Sequence, residues 1–280
     1  MKFFSRLAMR KFSPNWQYSA THTLWRLMFS DTGLILGEDR DTNNKTVMFF
    51  CLDASSGTVL WEKMEFAERW WIGLEGVSGE RIFFHGFKKP DMPEHQSIIC
   101  ADIHTGKELW RNNDCAFLAT DAHYVYGYRD LFERRMYYKL DIDSGTFLEE
   151  HSELPEYINS LPSAEKSDFD FPQPYGEENI PLLSSFVDVH SDTVRSVEYI
   201  ETDKFVIFNT HHVKQSVQHN VQESLTNTLY IIERESGTKK YHEILNHDTP
   251  FPVPDSFFLD KTILYFIKEK KYLIALNLDQ

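Results

Sequence analysis

The chain has 280 residues, of which 15% are aromatic and 26% charged, and its formal net charge is −14 at pH 7. Nucleic-acid binding normally requires a basic face, so this balance argues against a nucleic-acid partner. No run approaches the roughly 18 to 20 apolar residues of a membrane span, and charged residues interrupt every apolar stretch near the N-terminus, unlike in a signal peptide. We therefore expect a cytoplasmic, acidic protein that does not bind membranes.

Four stretches repeat one pattern, in which an acidic residue follows an apolar β-rich run and a glycine comes four positions later. The acidic side chain can accept hydrogen bonds from nearby backbone N–H groups, and the glycine permits a positive φ, so each stretch predicts a hairpin turn. The four stretches are Leu52–Gly57, Ala101–Gly106, Leu140–Gly145 and Ile232–Gly237.

The spacing of these turns predicts the architecture. Successive turn glycines lie 49, 39 and 92 positions apart, and one blade of a β-propeller takes about 40 to 50 residues. A spacing of 92 is twice 46, or two blades. The chain is therefore expected to be all-β and to form one β-propeller domain over residues 1–280.

Strands are predicted in chain order from β-rich runs between turn signals. The first three blades comprise Thr23–Phe29, Leu34–Glu38, Thr46–Asp53 and Thr58–Glu62; Trp70–Leu74, Arg81–Phe87, Ser97–Asp102 and Lys107–Arg111; and Phe117–Thr120, Tyr124–Tyr128, Arg135–Asp141 and Thr146–Glu150. The last two comprise Val197–Glu201, Phe205–Thr210, Thr228–Glu233 and Lys239–Ile244; and Phe257–Asp260, Ile263–Lys268 and Leu273–Asn277. The third strands, such as Val47–Leu52, are continuously apolar, which indicates burial on both faces.

The last blade lacks a fourth strand, and an open sheet edge favours aggregation. Trp16 lies 45 positions before Trp61, and Trp25 lies 45 positions before Trp70, as if one repeat separated the members of each pair. We therefore expect Asn15–Ala20 to pair beside Leu273–Asn277 and so to close the propeller.

The sequence favours five four-stranded blades, with an excursion at about 152–195, over an alternative of six. The alternative rests on residues 187–194, which resemble the turn after Leu52 with Asp192 in the glycine position. Against it, the stretch before them has few β-forming runs and carries Pro155, Pro162, Pro172 and Pro174, which disfavour strands.

The pattern Asp-x-x-x-Gly-x-x-x-Trp occurs intact at Asp53-Gly57-Trp61 and at Asp102-Gly106-Trp110. It resembles the repeat of quinoprotein-like (PQQ-like) propellers, and the whole chain resembles a bacterial domain-of-unknown-function family with such repeats. The resemblance implies that each Trp docks on the neighbouring blade. It transfers no cofactor residue, because the chain has no Cys-Cys pair.

The three cysteines, Cys51, Cys100 and Cys115, are too few for a disulfide framework or a four-ligand zinc site. We expect all three to be small buried residues, and we expect neither a metal nor a cofactor.

Three pairs of residues are candidates for a binding surface. Trp70 and Trp71 open a predicted strand, where core packing competes with stacking on a sugar or aromatic ligand. Asp168 and Asp170 lie in the excursion, which is either a solvated loop or a docking arm. His211 and His212 are neighbours on a strand, so at most one points inward, and a structural role competes with metal binding.

The residues favour a non-enzymatic scaffold that binds a protein, small-molecule or glycan ligand, because no catalytic motif stands out. The alternative is a glycosidase-type hydrolase with paired carboxylates at the mouth of the channel. The identity of the partner and the oligomeric state are not readable from the sequence.

Overall fold

The computed structural model describes residues 12–88, 94–161, 168–175, 183, 186, 191, 193–214 and 224–279. Within them the regular elements are β-strands, apart from a short 3-10 helix at Glu156–Ser160. The predicted all-β class is confirmed. None of the described helical segments is long and apolar enough to cross a bilayer.

The described strands form five antiparallel sheets, as expected from the blade count. Sheet I contains β2 (Thr23–Phe29), β3 (Leu34–Asp41), β4 (Thr46–Asp53) and β5 (Val59–Met64). Sheet II contains β6 (Ile72–Ser78), β7 (Arg81–Phe87), β8 (His95–Asp102) and β9 (Glu108–Asn112). Sheet III contains β10 (Ala116–Thr120), β11 (Tyr124–Asp130), β12 (Arg135–Asp141) and β13 (Phe147–His151).

Sheet IV has five strands and sheet V has four. Sheet IV contains β14 (Gln173–Pro174), β15 (Val194–Glu201), β16 (Phe205–Val213), β17 (Leu225–Glu233) and β18 (Lys239–Thr249). Sheet V contains β19 (Phe257–Asp260), β20 (Ile263–Lys268), β21 (Tyr272–Asn277) and β1 (Trp16–Ser19). The chain divides into two compact units, a first unit of Ala20–Ser167 and a second unit of Met1–Ser19 with Asp168–Gln280.

The N-terminal strand completes sheet V, as predicted. β1 pairs antiparallel with β21, with Trp16 opposite Ala275 and Ser19 opposite Tyr272. The backbone N–H of Asn15 also donates to the Ala275 carbonyl at 2.8 Å. The two ends of the described chain therefore share one sheet within the second unit, whereas closure of all five sheets into a ring stays a prediction.

The repeated turns have the geometry that their sequence predicts. In the turn after β4, the Asp53 Oδ1 atom accepts the backbone N–H groups of Ser55 and Ser56 at 3.1 and 2.8 Å. The Gly57 N–H donates to the Asp53 carbonyl at 2.8 Å. All four turn glycines have a positive φ between 64° and 69°, which side chains other than glycine rarely adopt.

Two tryptophans of the repeat dock on the next sheet of the first unit. Trp61 donates its indole N–H to the Ile103 carbonyl at 2.8 Å, and Trp110 donates to the Ile142 carbonyl at the same distance. A Cβ atom on the turn glycine would lie 3.1 Å from Trp61 at Gly106 and 2.4 Å from Trp110 at Gly145. Each glycine is therefore required twice, for its φ and for the ring stacked on it.

The core of each unit lies between sheets that face each other. One cluster joins Phe49 of sheet I to Phe84 of sheet II, whose rings pack edge to face at 4.8 Å. A second cluster lies on the other face of sheet II, where sheet II residues such as Trp110 pack on sheet III residues such as Leu140. In the second unit, sheet IV packs on sheet V in the same way. The neighbouring residues Phe49 and Phe50 of β4 are both buried, so this strand is buried on both faces, as its continuous apolar run predicts.

Many strand ends differ from the prediction by a few residues, and the start of β6 and one repeat alignment differ in ways that affect the site described below. β6 begins at Ile72, because the backbone N–H groups of Trp70 and Trp71 donate to the Glu68 carboxylate and form a bend before the strand. The strand register also has a bulge at Trp25 in β2 and at Glu75 in β6. Glu75, rather than Trp70, is therefore the structural counterpart of Trp25.

The excursion adds a short outer strand to sheet IV. Gln173 and Pro174 of β14 pair with Tyr199 and Glu198, and Asp170 pairs with Leu259 at the edge of β19. Proline is compatible with β14 because an edge strand can leave a donor position unused. Most of residues 187–194, on which the six-blade alternative rests, lie outside the described residues.

All three cysteines are free and buried. Burial raises the pKa of each thiol to about 12. The expectation that they act as small apolar core residues is confirmed.

Candidate functional site

The loops at one end of the first unit carry the candidate site. These loops are β3–β4, β7–β8 and β11–β12, together with the bend before β6, and we call this surface the loop end. It lies opposite the three Asp-Gly turns of this unit, because consecutive strands run antiparallel. Loops held by a framework of strands are the usual setting of a binding surface.

A buried ion pair joins sheets I and II beneath the loop end. Glu38 and Arg40, both on β3, are 2% and 7% exposed, and the Arg40 Nε atom donates to a Glu38 carboxylate oxygen at 2.7 Å. Arg40 also donates to the carbonyls of Trp70 and Ile72 at 2.9 and 2.5 Å. The other Glu38 oxygen accepts the Leu74 N–H at 2.7 Å. The pair therefore satisfies backbone groups at the start of β6.

Trp70 and Trp71, both candidates from the sequence, lie at the loop end but in different environments. The half-buried Trp70 ring covers Arg40, with the guanidinium carbon 5.0 Å from the ring centroid. Trp71 is 37% exposed and packs edge to face on Phe87 at 5.7 Å. Trp70 thus has a packing role, and Trp71 remains accessible to a ligand.

Other apolar side chains are exposed on the same surface. Trp25 is 61% exposed, and Phe132, in the β11–β12 turn, is 102% exposed. Leu131 beside it is 42% exposed. Exposed aromatic rings on a rigid framework are the residues that most often supply binding energy at protein interfaces.

Glu75, His85 and His95 converge below Phe87 in sheet II. The His95 Nδ1 atom lies 2.9 Å from a Glu75 carboxylate oxygen, and His85 Nδ1 contacts the same oxygen. The two imidazole rings stack with centroids 3.6 Å apart and planes 6° apart. One ligand atom from each residue lies within 4.8 Å of the others, which is a grouping suited to a metal ion.

The protonation of this cluster follows from its burial and contacts. Burial raises the pKa of Glu75, but the contacts with His85 and His95 outweigh it and lower the pKa to about 2. Burial also lowers the pKa of His85. The group therefore consists of an ionised carboxylate and a buried, neutral imidazole at neutral pH, and both are competent metal ligands.

This cluster is not apparent from the sequence. Its members are ten positions apart and follow no known ligand spacing. They meet because His95 pairs with Phe87 across the β7–β8 hairpin, while the bulge at Glu75 shifts that side chain relative to its neighbours. The cluster could have been predicted only if the bulge at Glu75 had been placed correctly when β6 was aligned with β7.

His211 and His212 lie in the second unit, on β16. His211 is fully buried, and its Nε2 atom accepts the backbone N–H of Val253 at 3.0 Å. His212 is half-buried and pairs with Val194 and Thr226. The residues therefore have different environments, as alternation along a strand predicts. His219, beyond them, lies outside the described residues.

His211 should make the second unit sensitive to acid. Burial lowers its pKa to about 4, from an ordinary value of 6.5. Below pH 6.5 the unfolded chain binds a proton that the folded chain does not, so the free energy of unfolding should decrease as the pH falls from about 6.5 to about 4.

Equilibrium unfolding in urea at several pH values measures this effect. The variant His211→Gln keeps an acceptor for Val253 and should show a shallower decrease over that range. His123→Gln, which changes an exposed histidine, should match the wild type. If His211→Gln has the same pH dependence as the wild type, the assignment is wrong.

Asp168 and Asp170 also belong to the second unit, and both are exposed. The backbone of Asp170 exchanges two hydrogen bonds of 2.9 Å with Leu259, so this part of the excursion is held against β19. Phe169 and Phe171, on either side of Asp170, pack on Phe258 at 5.4 and 5.7 Å. The carboxylates are thus presented from a fixed backbone.

The described part of the chain is accordingly an all-β protein with a polar and aromatic loop end. A family described as a domain of unknown function, DUF4905, matches residues 29–110. This range covers β3 to β8 and the start of β9, including the Glu75, His85 and His95 cluster. The expected similarity to a domain-of-unknown-function family is thereby confirmed for that range, whereas a bacterial origin and quinoprotein-like repeats stay predictions.

Solved structures similar to this chain include BamB and two β-propeller domains. BamB from Moraxella catarrhalis is 12% identical, with a TM-score of 0.36, over 94% of this chain and 87% of that chain. The β-propeller domain of the Trilobed protease from Pyrococcus furiosus is 11% identical, with a TM-score of 0.37, over 92% and 94%.

The Cps50 (Swd1) β-propeller domain from Myceliophteria thermophila is 9% identical, with a TM-score of 0.37, over 93% and 99%. These similarities carry no inference about activity. No curated protein matches the chain in sequence.

Proposed function

We propose that this chain is a non-enzymatic scaffold that binds a protein partner through the loop end of sheets I to III. The observation that carries the proposal is the full exposure of Phe132 at the tip of the β11–β12 turn. When a partner covers an aromatic ring that is exposed on a short turn, apolar surface is removed from water, which favours binding. Trp71 and Trp25 extend the exposed apolar surface at the same end.

Charged side chains surround these rings and would give the interface its specificity. Lys88 pairs with Glu94 at 2.9 Å in the β7–β8 loop, and Arg135 pairs with Asp130 at 2.6 Å beside the β11–β12 turn. Both pairs are partly exposed. An apolar centre with a charged rim is the usual composition of a protein interface.

The proposal includes the cytoplasm as the compartment, because all three thiols are free and a reducing environment keeps them so. It also retains the expectation that neither nucleic acid nor a membrane is the partner, which is supported by the net charge of −14. Small-molecule and glycan ligands remain as other ligand classes for the same loop end.

Affinity capture from extracts of the source cells tests the proposal. The bait is the full chain as wild type, as Phe132→Ala, as Trp71→Ala, and as the control Leu109→Ala. Leu109 is 45% exposed but lies on the outer strand β9, away from the loops. A genuine partner should be captured by the wild type and by the control, and its binding should weaken about tenfold or more in both loop-end variants.

Three results would contradict the proposal. The first is equal capture by all four baits, and the second is capture by none of them. The third is turnover of aryl glycosides by the purified wild type, which would favour the hydrolase alternative.

A further inference from the structure

Two buried atoms of the Glu75, His85 and His95 cluster have no hydrogen-bond partner among the described residues. They are a Glu75 carboxylate oxygen, Oε2, and the Nδ1 atom of His85. They contact each other. His85 is only 5% exposed, so water contributes little to either atom. A buried polar atom without a partner destabilises the folded state, and such atoms in a native protein require a specific reason.

A cation would satisfy both atoms at once. Each atom can donate a lone pair to a cation and the two are in contact, and the His95 Nδ1 atom lies 2.9 Å from the same Glu75 oxygen. We propose that Glu75, His85 and His95 bind one divalent first-row transition-metal cation, with Zn²⁺ as the preferred ion. The ligand atoms are one Glu75 carboxylate oxygen and the two Nδ1 atoms.

The donor types select this class of cation. Two imidazole nitrogens and one carboxylate oxygen are the ligands of many zinc sites, whereas Ca²⁺ and Mg²⁺ prefer oxygen ligands alone. Three protein ligands leave a fourth tetrahedral position open. That position is available to water or to a side chain of a bound partner.

The surrounding structure holds the ligands in place. Glu75 lies on the edge strand β6, at its bulge, and His85 lies on the central strand β7. The other ring nitrogen of His85, Nε2, lies beside Gly73, where a Glu38 carboxylate oxygen also lies. A carboxylate near the second nitrogen of a ligating histidine favours the tautomer that leaves Nδ1 free for the metal. The Phe87 ring packs on both imidazoles at 5.1 and 5.4 Å.

Ions can reach the cluster through His95. Its side chain is 34% exposed, and it lines an open cleft of about 260 Å³ between sheets II and III. Ligand atoms around a tetrahedral Zn²⁺ lie about 3.3 Å apart, given metal–ligand distances near 2.0 Å. The Glu75 oxygen must therefore draw back and one of the stacked rings must tilt, and His95, at the cleft, is free to do so.

The test uses the full chain, purified without a histidine tag and stripped with a chelator. Zn²⁺ is titrated by calorimetry in the presence of excess Mg²⁺. The wild type should bind one Zn²⁺ per chain at micromolar or lower concentration. Glu75→Gln and His95→Gln should each weaken this binding about 100-fold or more. The control His104→Gln, which changes an exposed histidine in the β8–β9 turn, should bind like the wild type.

A second measurement does not depend on the folding of any variant. Co²⁺ added to the stripped wild type should give the intense visible absorption of a four- or five-coordinate site, and one equivalent of Zn²⁺ should abolish it. The proposal fails if the Co²⁺ spectrum remains that of the aqueous ion, or if both ligand variants bind Zn²⁺ as the wild type does. Because metal binding does not depend on a partner, this failure is distinct from failure of the scaffold proposal.

Discussion

Replacing Trp110 by Ala should lower the free energy of unfolding by about 3 to 5 kcal/mol. The indole is 8% exposed and donates to the Ile142 carbonyl. The indole ring also packs directly on the α-carbon of Gly145, where a Cβ atom would lie 2.4 Å from the ring. The variant would leave a cavity between sheets II and III and an unpaired carbonyl in the Asp141–Gly145 turn. Urea denaturation of the variant and of the wild type gives the difference.

Two other variants test the cause of this loss. Trp110→Phe keeps a ring on Gly145 but lacks the indole donor. Because the phenyl ring fills most of the cavity, this variant should lose less stability than Trp110→Ala. Trp25→Ala removes a tryptophan that is 61% exposed and contacts Arg40 at 5.8 Å, and should cost less than about 1 kcal/mol. Equal losses in Trp110→Ala and Trp25→Ala would show that docking on the next sheet does not stabilise the fold.

Arg40→Met should lower the free energy of unfolding by about 3 to 5 kcal/mol, because it leaves the Glu38 carboxylate buried without its cation. The carbonyls of Trp70 and Ile72 would also lose their donors. The same change at Arg135, which pairs with Asp130 at the surface, should cost less than about 1 kcal/mol. Urea denaturation of both variants at pH 7 compares the buried pair with the exposed one.

A double variant separates the charge effect from the loss of packing. Glu38→Gln combined with Arg40→Met removes both charges, and the amide oxygen can still accept the Leu74 N–H. This double variant should be more stable than Arg40→Met alone. If it is less stable, the loss does not come from the unpaired carboxylate.

Local turn chemistry made most of the fold predictable. The acidic residue and glycine of each repeat act within five positions, so the sequence states them directly, and strands such as Arg81–Phe87 and Ile263–Lys268 have the predicted bounds. The pairing of Trp16 with the last sheet was predictable for another reason. The last repeat lacks its fourth strand, and the N-terminal segment has the spacing of that missing strand.

The candidate site was less predictable because strand register decides it. Trp25 and Trp70 were aligned as equivalent repeat positions, yet they cover the same Arg40 side chain from neighbouring sheets. Bulges are not apparent in single sequences, since one extra residue changes neither composition nor period by a detectable amount. The convergence of Glu75 with His85 and His95 depends on such a bulge, so no pattern in the sequence indicates it.

The burial of the three thiols makes them natural reporters of local opening. A thiol with a pKa near 12 and no access to solvent does not react with alkylating reagents at neutral pH, so labelling requires the surrounding sheet to separate transiently. Cys51 and Cys100 lie in sheets I and II, and Cys115 lies immediately before sheet III. The alkylation rate at each position therefore gives the opening free energy of one sheet at a time, without any introduced label.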